Sequence, residues 1–277
     1  MQRERQMNHR LNYSQWEMEH RPILENFPKK EIFFLFSGGK DSSLAMDFLL
    51  RAGKEFGFSF EAHAGAFPVH RYGQEEQQRI SSYWQGRGIS PVWHEPAETD
   101  AILETTEKPC LACQSIRKQM LGPFLSKQVK NWHNLVIVVS YSLWDLVSYG
   151  VEQMLTCILR DQQEEEVDRN RRRMMETGQR FHPYLKMKEG YAVFRPLVRY
   201  NGRDIQDQVE KDNIPTLRTP CRFKDQRPKR LLEKYYEKLG MGFDYNKLLE
   251  YTEKAQYFPD ASTWTAMDRD EYLGKYF

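Results

Sequence analysis

The chain has 277 residues and a net charge of +2, with 40% hydrophobic and 29% charged residues. That balance excludes a disordered chain, and 41 Lys plus Arg against 39 Asp plus Glu excludes a uniformly basic nucleic-acid coat. Apolar runs such as Ile32–Phe36 and Leu135–Val139 are too short to span a membrane, the charged start MQRERQMNHR has no signal-peptide core, and four cysteines do not make a disulfide scaffold. A soluble, cytoplasmic protein is expected.

In chain order, residues 1–30 read as a polar lead-in that breaks at Pro28. Ile32–Phe36 is short and fully apolar, as a buried strand would be. Ser42–Ala52 carries Leu44, Met46, Phe48, Leu49 and Leu50 before Gly53, a helix with a glycine stop. Further strands are expected at Phe60–Phe67, Ile89–His94, Leu135–Ser140 and Ala192–Leu197, with helices near 73–86, 110–128 and 144–160 between them. Val147, Val151, Leu155 and Ile158 give the last of these an apolar stripe. The repeated alternation predicts an α/β fold, a doubly wound and mostly parallel sheet. Residues 161–181 switch from acidic to basic. Pairs such as Glu165/Arg169 and Asp168/Arg172 suit a solvated helix better than an arm reaching for RNA. From about 201 the chain is helical, best at Lys229–Gly240 and Asn246–Ala255. The expected organisation is a lead-in over 1–30, a catalytic domain over 31–200 and a helical region over 201–277.

Phe36-Ser37-Gly38-Gly39-Lys40-Asp41-Ser42-Ser43 lies between the best strand and the best helix. Two glycines let successive N–H groups converge on an anion, and the following helix adds its positive end. Ser37, Ser42 and Ser43 offer hydroxyls and Lys40 a point charge. The Walker A pattern is absent. A glycine turn capped by Ser42 is the plainer alternative. S-G-G-x-D-S after an apolar strand resembles the PP-loop of the ATP pyrophosphatases. The resemblance implies that the loop holds the pyrophosphate of ATP, that Asp41 organises Mg²⁺, and that the adenine lies near Ala66, Phe67 and Ser140.

Cys110-Leu111-Ala112-Cys113 opens a helical stretch, and Cys221 follows in Thr219-Pro220-Cys221-Arg222. C-x-x-C alone is open between zinc, a redox pair and an iron–sulfur cluster. Cys157, in an apolar run, is expected in the core. Pro109-Cys110-Leu111-Ala112-Cys113 also matches half of the zinc nucleobase deaminase signature. The upstream histidines, His63-Ala64-Gly65, His70-Arg71-Tyr72 and His94-Glu95-Pro96, lack the required H-x-E.

A PP-loop, a C-x-x-C and a single distant Pro-Cys together are similar to the tRNA 2-thiolation enzymes that carry a [4Fe–4S] cluster on three cysteines. Phe194-Arg195-Pro196-Leu197, Arg203-Asp204-Ile205 and Ile214-Pro215 before Cys221 follow that family's C-terminal run, and Arg117 stands where it has a base. The likeness extends from about Ile32 to Gly240. It implies ATP, Mg²⁺ and a [4Fe–4S] cluster on Cys110, Cys113 and Cys221, with Arg117 stabilising negative charge. It also implies a sulfur donor, and tRNA or a small nucleobase-like substrate. The family's Gly-His-x-x-Asp-Asp stretch is here Ser140-Tyr141-Ser142-Leu143-Trp144-Asp145-Leu146. Only Asp145 is kept, and it is the expected catalytic carboxylate unless it merely caps a helix. Arg222-Phe223-Lys224, Arg227, Lys229-Arg230 and Tyr235-Tyr236 interleave basic and aromatic residues as an RNA contact would, although Leu231, Leu232 and Leu239 equally suit a buried helix face. Two alternatives stay open: the same ATP chemistry on a small acceptor or a sulfonucleotide, and a zinc-stabilised RNA-binding protein. Monomer and homodimer are not distinguished.

Overall fold

The structure is a computed structural model that describes residues 11–158, 164–226, 228–255 and 259–277. Among these residues six strands form one sheet: β1 (Glu31–Leu35), β2 (Glu61–Gly65), β3 (Val92–His94), β4 (Leu135–Val139), β5 (Tyr184–Lys186) and β6 (Ala192–Phe194). Their order is β3-β2-β1-β4-β6-β5, with all pairings parallel except β5 against β6. The chain starts in the middle at β1, builds outward through β2 to β3, then crosses to β4 on the other side. β1 and β4 therefore flank the switch point, where open α/β sheets bind ligands beyond their carboxyl ends.

Alternation along the strands sorts the core into two layers. Ile32, Phe34, Ala62, Ala64, Val136, Val138 and Phe194 face one side, and Phe33, Leu135, Ile137 and Val193 face the other. The first side is covered by α1 (Tyr13–Leu24), α2 (Lys40–Phe56), α3 (Gln74–Gln85) and α8 (Gly202–Lys211), which add Trp16, Phe48, Leu49, Trp84 and Ile205 to the same cluster. The second is covered by α5 (Pro109–Gln128), which follows the short α4 (Ala101–Glu104), and by the C-terminal residues Trp264 and Tyr272. Both faces being buried explains why β1 and β4 read as unbroken apolar runs. A third cluster joins α6 (Leu143–Ile158) to α9 (Pro228–Lys238) and α10 (Tyr245–Ala255). The remaining helical pieces are α7 (Glu164–Gly178), α11 (Ser262–Thr265) and α12 (Arg269–Glu271).

The structure corrects several expectations. The lead-in is no mere lead-in: α1 buries Trp16 and Leu24, and Trp16 Nε1 and His20 Nε2 both donate to the carbonyl of Pro196, at 2.9 and 3.0 Å. The glycine stop is misplaced. α2 runs through Gly53 to Gly57, its C-cap at φ 76°. Gly53 is needed because a Cβ there would stand 2.6 Å from the Phe58 carbonyl oxygen. β1 starts one residue earlier and ends one earlier than expected, β2 is trimmed at both ends, β3 at its start, and β4 and β6 at their ends; β5, three residues long and antiparallel, was not foreseen. Leu155, placed on a buried stripe, is half exposed. The side chains of Cys157, Arg227 and Arg230 lie outside the described residues, as do those of Glu165, Asp168 and Arg169.

Candidate active site

The loop between β1 and α2 adopts one closed shape. Gly38 has φ 67°, the left-handed region, and its carbonyl accepts the N–H of Leu217 at 2.7 Å. Ser37 Oγ and Ser42 Oγ are hydrogen-bonded at 2.9 Å, Ser42 Oγ also donates to Gly39 O at 3.0 Å, and Tyr72 O–H donates to Ser37 O at 3.1 Å. These hydroxyls hold the loop. The Ser43 hydroxyl is buried without a hydrogen-bond partner among the described residues. The first N–H groups of α2, a helix of 17 residues, converge at the mouth of the loop.

Beyond the carboxyl ends of β1, β2, β3 and β4 lies a cavity of about 330 Å³, within the ordinary range for small-molecule sites. Phe36, Ser37 and Ser42 from the loop line it, with Ser140 and Tyr141 after β4, and Arg117 and Lys118 from α5. His63, His94, Phe124 and Phe277 line it as well. The Ser140 hydroxyl is buried and unpartnered among the described residues. Opposite the loop the wall is positive. Lys118 pairs with Glu176 at 2.9 Å, and Glu176 also pairs with Arg173 and Arg180. Burial works against the Glu176 charge, but Lys118, Arg180 and Arg173 outweigh it and hold the carboxyl below the usual range. Arg180 stacks over the Tyr141 and Tyr149 rings at 5.3 and 5.0 Å.

His63 and His94 are pushed below the ordinary histidine value, chiefly by burial, which disfavours the charged imidazolium. Their rings lie 4.4 and 4.5 Å from the Phe124 ring.

The expected residues divide accordingly. Phe36, Ser37, Ser42, Ser140 and Arg117 line the cavity. Lys40 does not, because its Nζ binds Asp41 Oδ1 at 2.8 Å and Gly202 O at 3.1 Å. Ala66 and Phe67 are buried beside the site, Phe67 packing with Leu103, Cys113 and Ile116. Asp145 does not line the cavity either. One carboxylate oxygen accepts the N–H and O–H of Ser142, at 2.8 and 3.0 Å, and the other is ion-paired with Lys229. Asp145 thus satisfies the Ser142 N–H at the start of α6, and its own N–H donates to the Ser142 carbonyl at 3.0 Å. Part of the basic and aromatic stretch is used inside the molecule: besides Lys229, Phe223 packs against the Cys113 cluster and Tyr236 lies 5.9 Å from Trp144, while Arg222, Lys224 and Tyr235 stay exposed. His63, His94, Lys118 and Tyr141 were missed. The signal was present in Glu61 and His63 at alternate positions, polar residues on one face of an otherwise buried strand.

The segment carrying Cys221 is fixed over the loop. Leu217 binds Gly38, Arg79 donates to Thr216 O at 2.7 Å, Arg71 donates to Thr219 O at 3.2 Å, and the Arg222 N–H donates to His70 Nε2 at 3.1 Å. His70 is oriented by Asp100, 2.6 Å from its Nδ1. Phe223 thereby meets the first turn of α5, where Cys110 and Cys113 lie. Cys110, Cys113 and Cys221 are not in disulfides. This donor set fits a group held by three thiolates. Among the described residues, however, no three His, Cys, Asp or Glu side chains are gathered closely enough to hold a metal ion.

A U34-tRNA thiolase, NcsA from Methanococcus maripaludis, solved with its [4Fe–4S] cluster, superposes with a TM-score of 0.59 over 89% of this chain and 79% of that one, at 16% identity. The chain shares that thiolase's α/β fold. NMN synthetase from Francisella tularensis matches over 87% of this chain and 94% of that one, at 11% identity and a TM-score of 0.42. No family model and no curated protein matches the sequence. Among the described residues no helix is long and apolar enough to cross a membrane.

Proposed function

We propose that the chain is an ATP-dependent sulfurtransferase of the PP-loop type. It adenylates a nucleobase carbonyl, foremost in tRNA, and exchanges that oxygen for sulfur. The observation that carries this is the clamp of Leu217 on Gly38, which ties the Cys221 segment to a loop built for phosphates at the mouth of one cavity. The loop N–H groups and the N-terminus of α2 would take the β- and γ-phosphates, and Ser140 would meet the nucleotide from β4. Asp41 fits one carboxylate ligand of Mg²⁺, the phosphates and water filling the rest. Arg117 would neutralise charge as the acceptor oxygen attacks the α-phosphate and pyrophosphate leaves. A sulfur nucleophile then displaces AMP. Cys110, Cys113 and Cys221 would hold a [4Fe–4S] cluster, which when bound supplies that sulfur.

A second reading, a small nucleobase-like acceptor, is favoured by the internal use of Phe223, Lys229 and Tyr236, which leaves fewer groups for RNA. One experiment separates the two: mass spectrometry of nucleosides from total tRNA with and without the gene in its own host. Loss of one thionucleoside supports the tRNA acceptor. An unchanged profile with pyrophosphate release on free bases supports the small acceptor, and no pyrophosphate release with either refutes the enzyme.

A further inference from the structure

The cavity wall opposite α2 contains a chain of three titratable side chains that neither ATP binding nor sulfur delivery uses. Glu61, at the start of β2, is 67% exposed at its side chain. Its Oε2 lies 3.2 Å from Nε2 of His63, which is buried, and Nδ1 of His63 lies 3.2 Å from Nε2 of His94, which lines the cavity. The three groups run along one sheet face from solvent to the site.

Chemistry fixes the protons. A carboxylate only accepts, so His63 carries its hydrogen on Nε2 and donates it to Glu61. His63 Nδ1 is then an acceptor and takes the Nε2–H of His94. His94 Nδ1 is left with a lone pair and has no hydrogen-bond partner among the described residues. Phe124 lies against both rings and Phe33 against His63 at 5.1 Å, so aromatic rings shield one side of the path, while His63 and His94 both line the cavity. The charged groups nearest in the cavity are Arg117 and Lys118 on α5, and Glu95, which follows His94, accepts from Gln77 at 2.9 Å.

We propose that Glu61, His63 and His94 form a proton relay between solvent and the cavity, with His94 as the catalytic base for the acceptor. The inference rests on the adenylation proposed above. As the acceptor carbonyl oxygen forms its bond to the α-phosphorus, the bond from that phosphorus to the bridging oxygen breaks and its electron pair leaves with pyrophosphate. The adjacent amide N–H of the nucleobase gives its proton to His94 Nδ1. His94 passes its Nε2 proton to His63 Nδ1, and His63 passes its own to Glu61 and so to solvent. One proton leaves per adenylation.

Two measurements on the full chain decide it. Nitrogen-15 correlation spectra of histidine-labelled protein near neutral pH report the tautomers without any reaction. Hydrogen on Nε2 is expected for both His63 and His94, and hydrogen on Nδ1 of either overturns the relay. The second is ATP–pyrophosphate exchange with total tRNA. His94→Asn is expected to slow it by about a hundredfold with ATP affinity unchanged. Glu61→Gln still accepts from His63 but cannot take its proton, and is expected to slow exchange by about tenfold. An undiminished rate in Glu61→Gln overturns the relay, because a purely structural hydrogen bond survives that change. Wild-type protein that shows no exchange refutes the proposed reaction instead, and the tautomers still decide the hydrogen-bond order on which the relay depends.

Discussion

At φ 67° the Gly38 backbone lies where a side chain is strained, and a methyl group there would also stand 2.8 Å from Leu217 Cγ. Gly38→Ala is therefore expected to cost about 1–2 kcal/mol, seen as a lower urea midpoint. It should weaken ATP binding more than stability, since it pushes Leu217 and the Cys221 segment off the loop. Calorimetric titration with ATP checks this, and an unchanged affinity would refute the clamp. The paired glycines and serines were legible in the sequence because a phosphate loop is a local pattern. Lys40 was not, because its long side chain finds Gly202, 162 residues away, and local spacing carries no information about that contact. His63 and His94 escaped for a related reason. Each looks like a lone histidine until β2 and β3 pair and bring them together.

Capping decides how α6 begins, and with it where Ser140 and Tyr141 stand. Asp145 accepts both the N–H and the O–H of Ser142 and meets Lys229 of α9, so one carboxylate fastens α6 at its first turn and to a neighbouring helix. Asp145→Ala is expected to lower stability by about 1–2 kcal/mol, the worth of a cap and a half-exposed ion pair. At this chain length that is about 2–4 °C in melting temperature. Asp145→Asn, which can still accept from Ser142, should lose less and keep turnover. Abolished turnover at full stability would instead make Asp145 a catalytic group. The elements themselves were readable where both faces are buried, as in β1 and β4, since an apolar run between glycines has few other fates. β5 was not readable. Three residues paired antiparallel to β6 give no period to detect, and the turn at Gly190 that joins them is set by the Met187 and Tyr191 pairing.

Across the whole molecule, stability should fall in mild acid. His20 is buried beneath Pro196, and burial, countered only in part by that carbonyl, pushes its pKa down from 6.5 to about 4. Above about pH 6.5 the ring is neutral in both folded and unfolded chains and contributes no pH dependence. Between 6.5 and 4 only the unfolded chain takes up the proton, so stability is lost as pH falls, by up to about 3 kcal/mol, and the loss levels off below 4. Urea midpoints at pH 7.5 and 5 should therefore differ less in His20→Gln than in the wild type. His63, His94 and His182 shift in the same direction and will leave a residual slope in the variant.

Arg195 and Pro196 sit side by side and hold opposite ends of the chain. Pro196 takes Trp16 and His20, while fully buried Arg195 binds the carbonyl of His182 at 3.1 Å, Tyr272 O–H at 3.2 Å and the side-chain oxygen of Gln179. Trp16 is separated from its acceptor by 180 residues. On a ribosome adding about 5–20 residues per second, α1 waits roughly 10–35 seconds for the carbonyl that receives it. Through that interval β1, β2, β3 and β4 are made while one edge of the first core layer lacks its cover, and the nascent chain presents Phe48 and Phe194's future neighbours to whatever chaperones attend synthesis. The dipeptide acts as a late latch: its arrival lets α1 dock, and the later segment that carries Tyr272 then closes over Arg195.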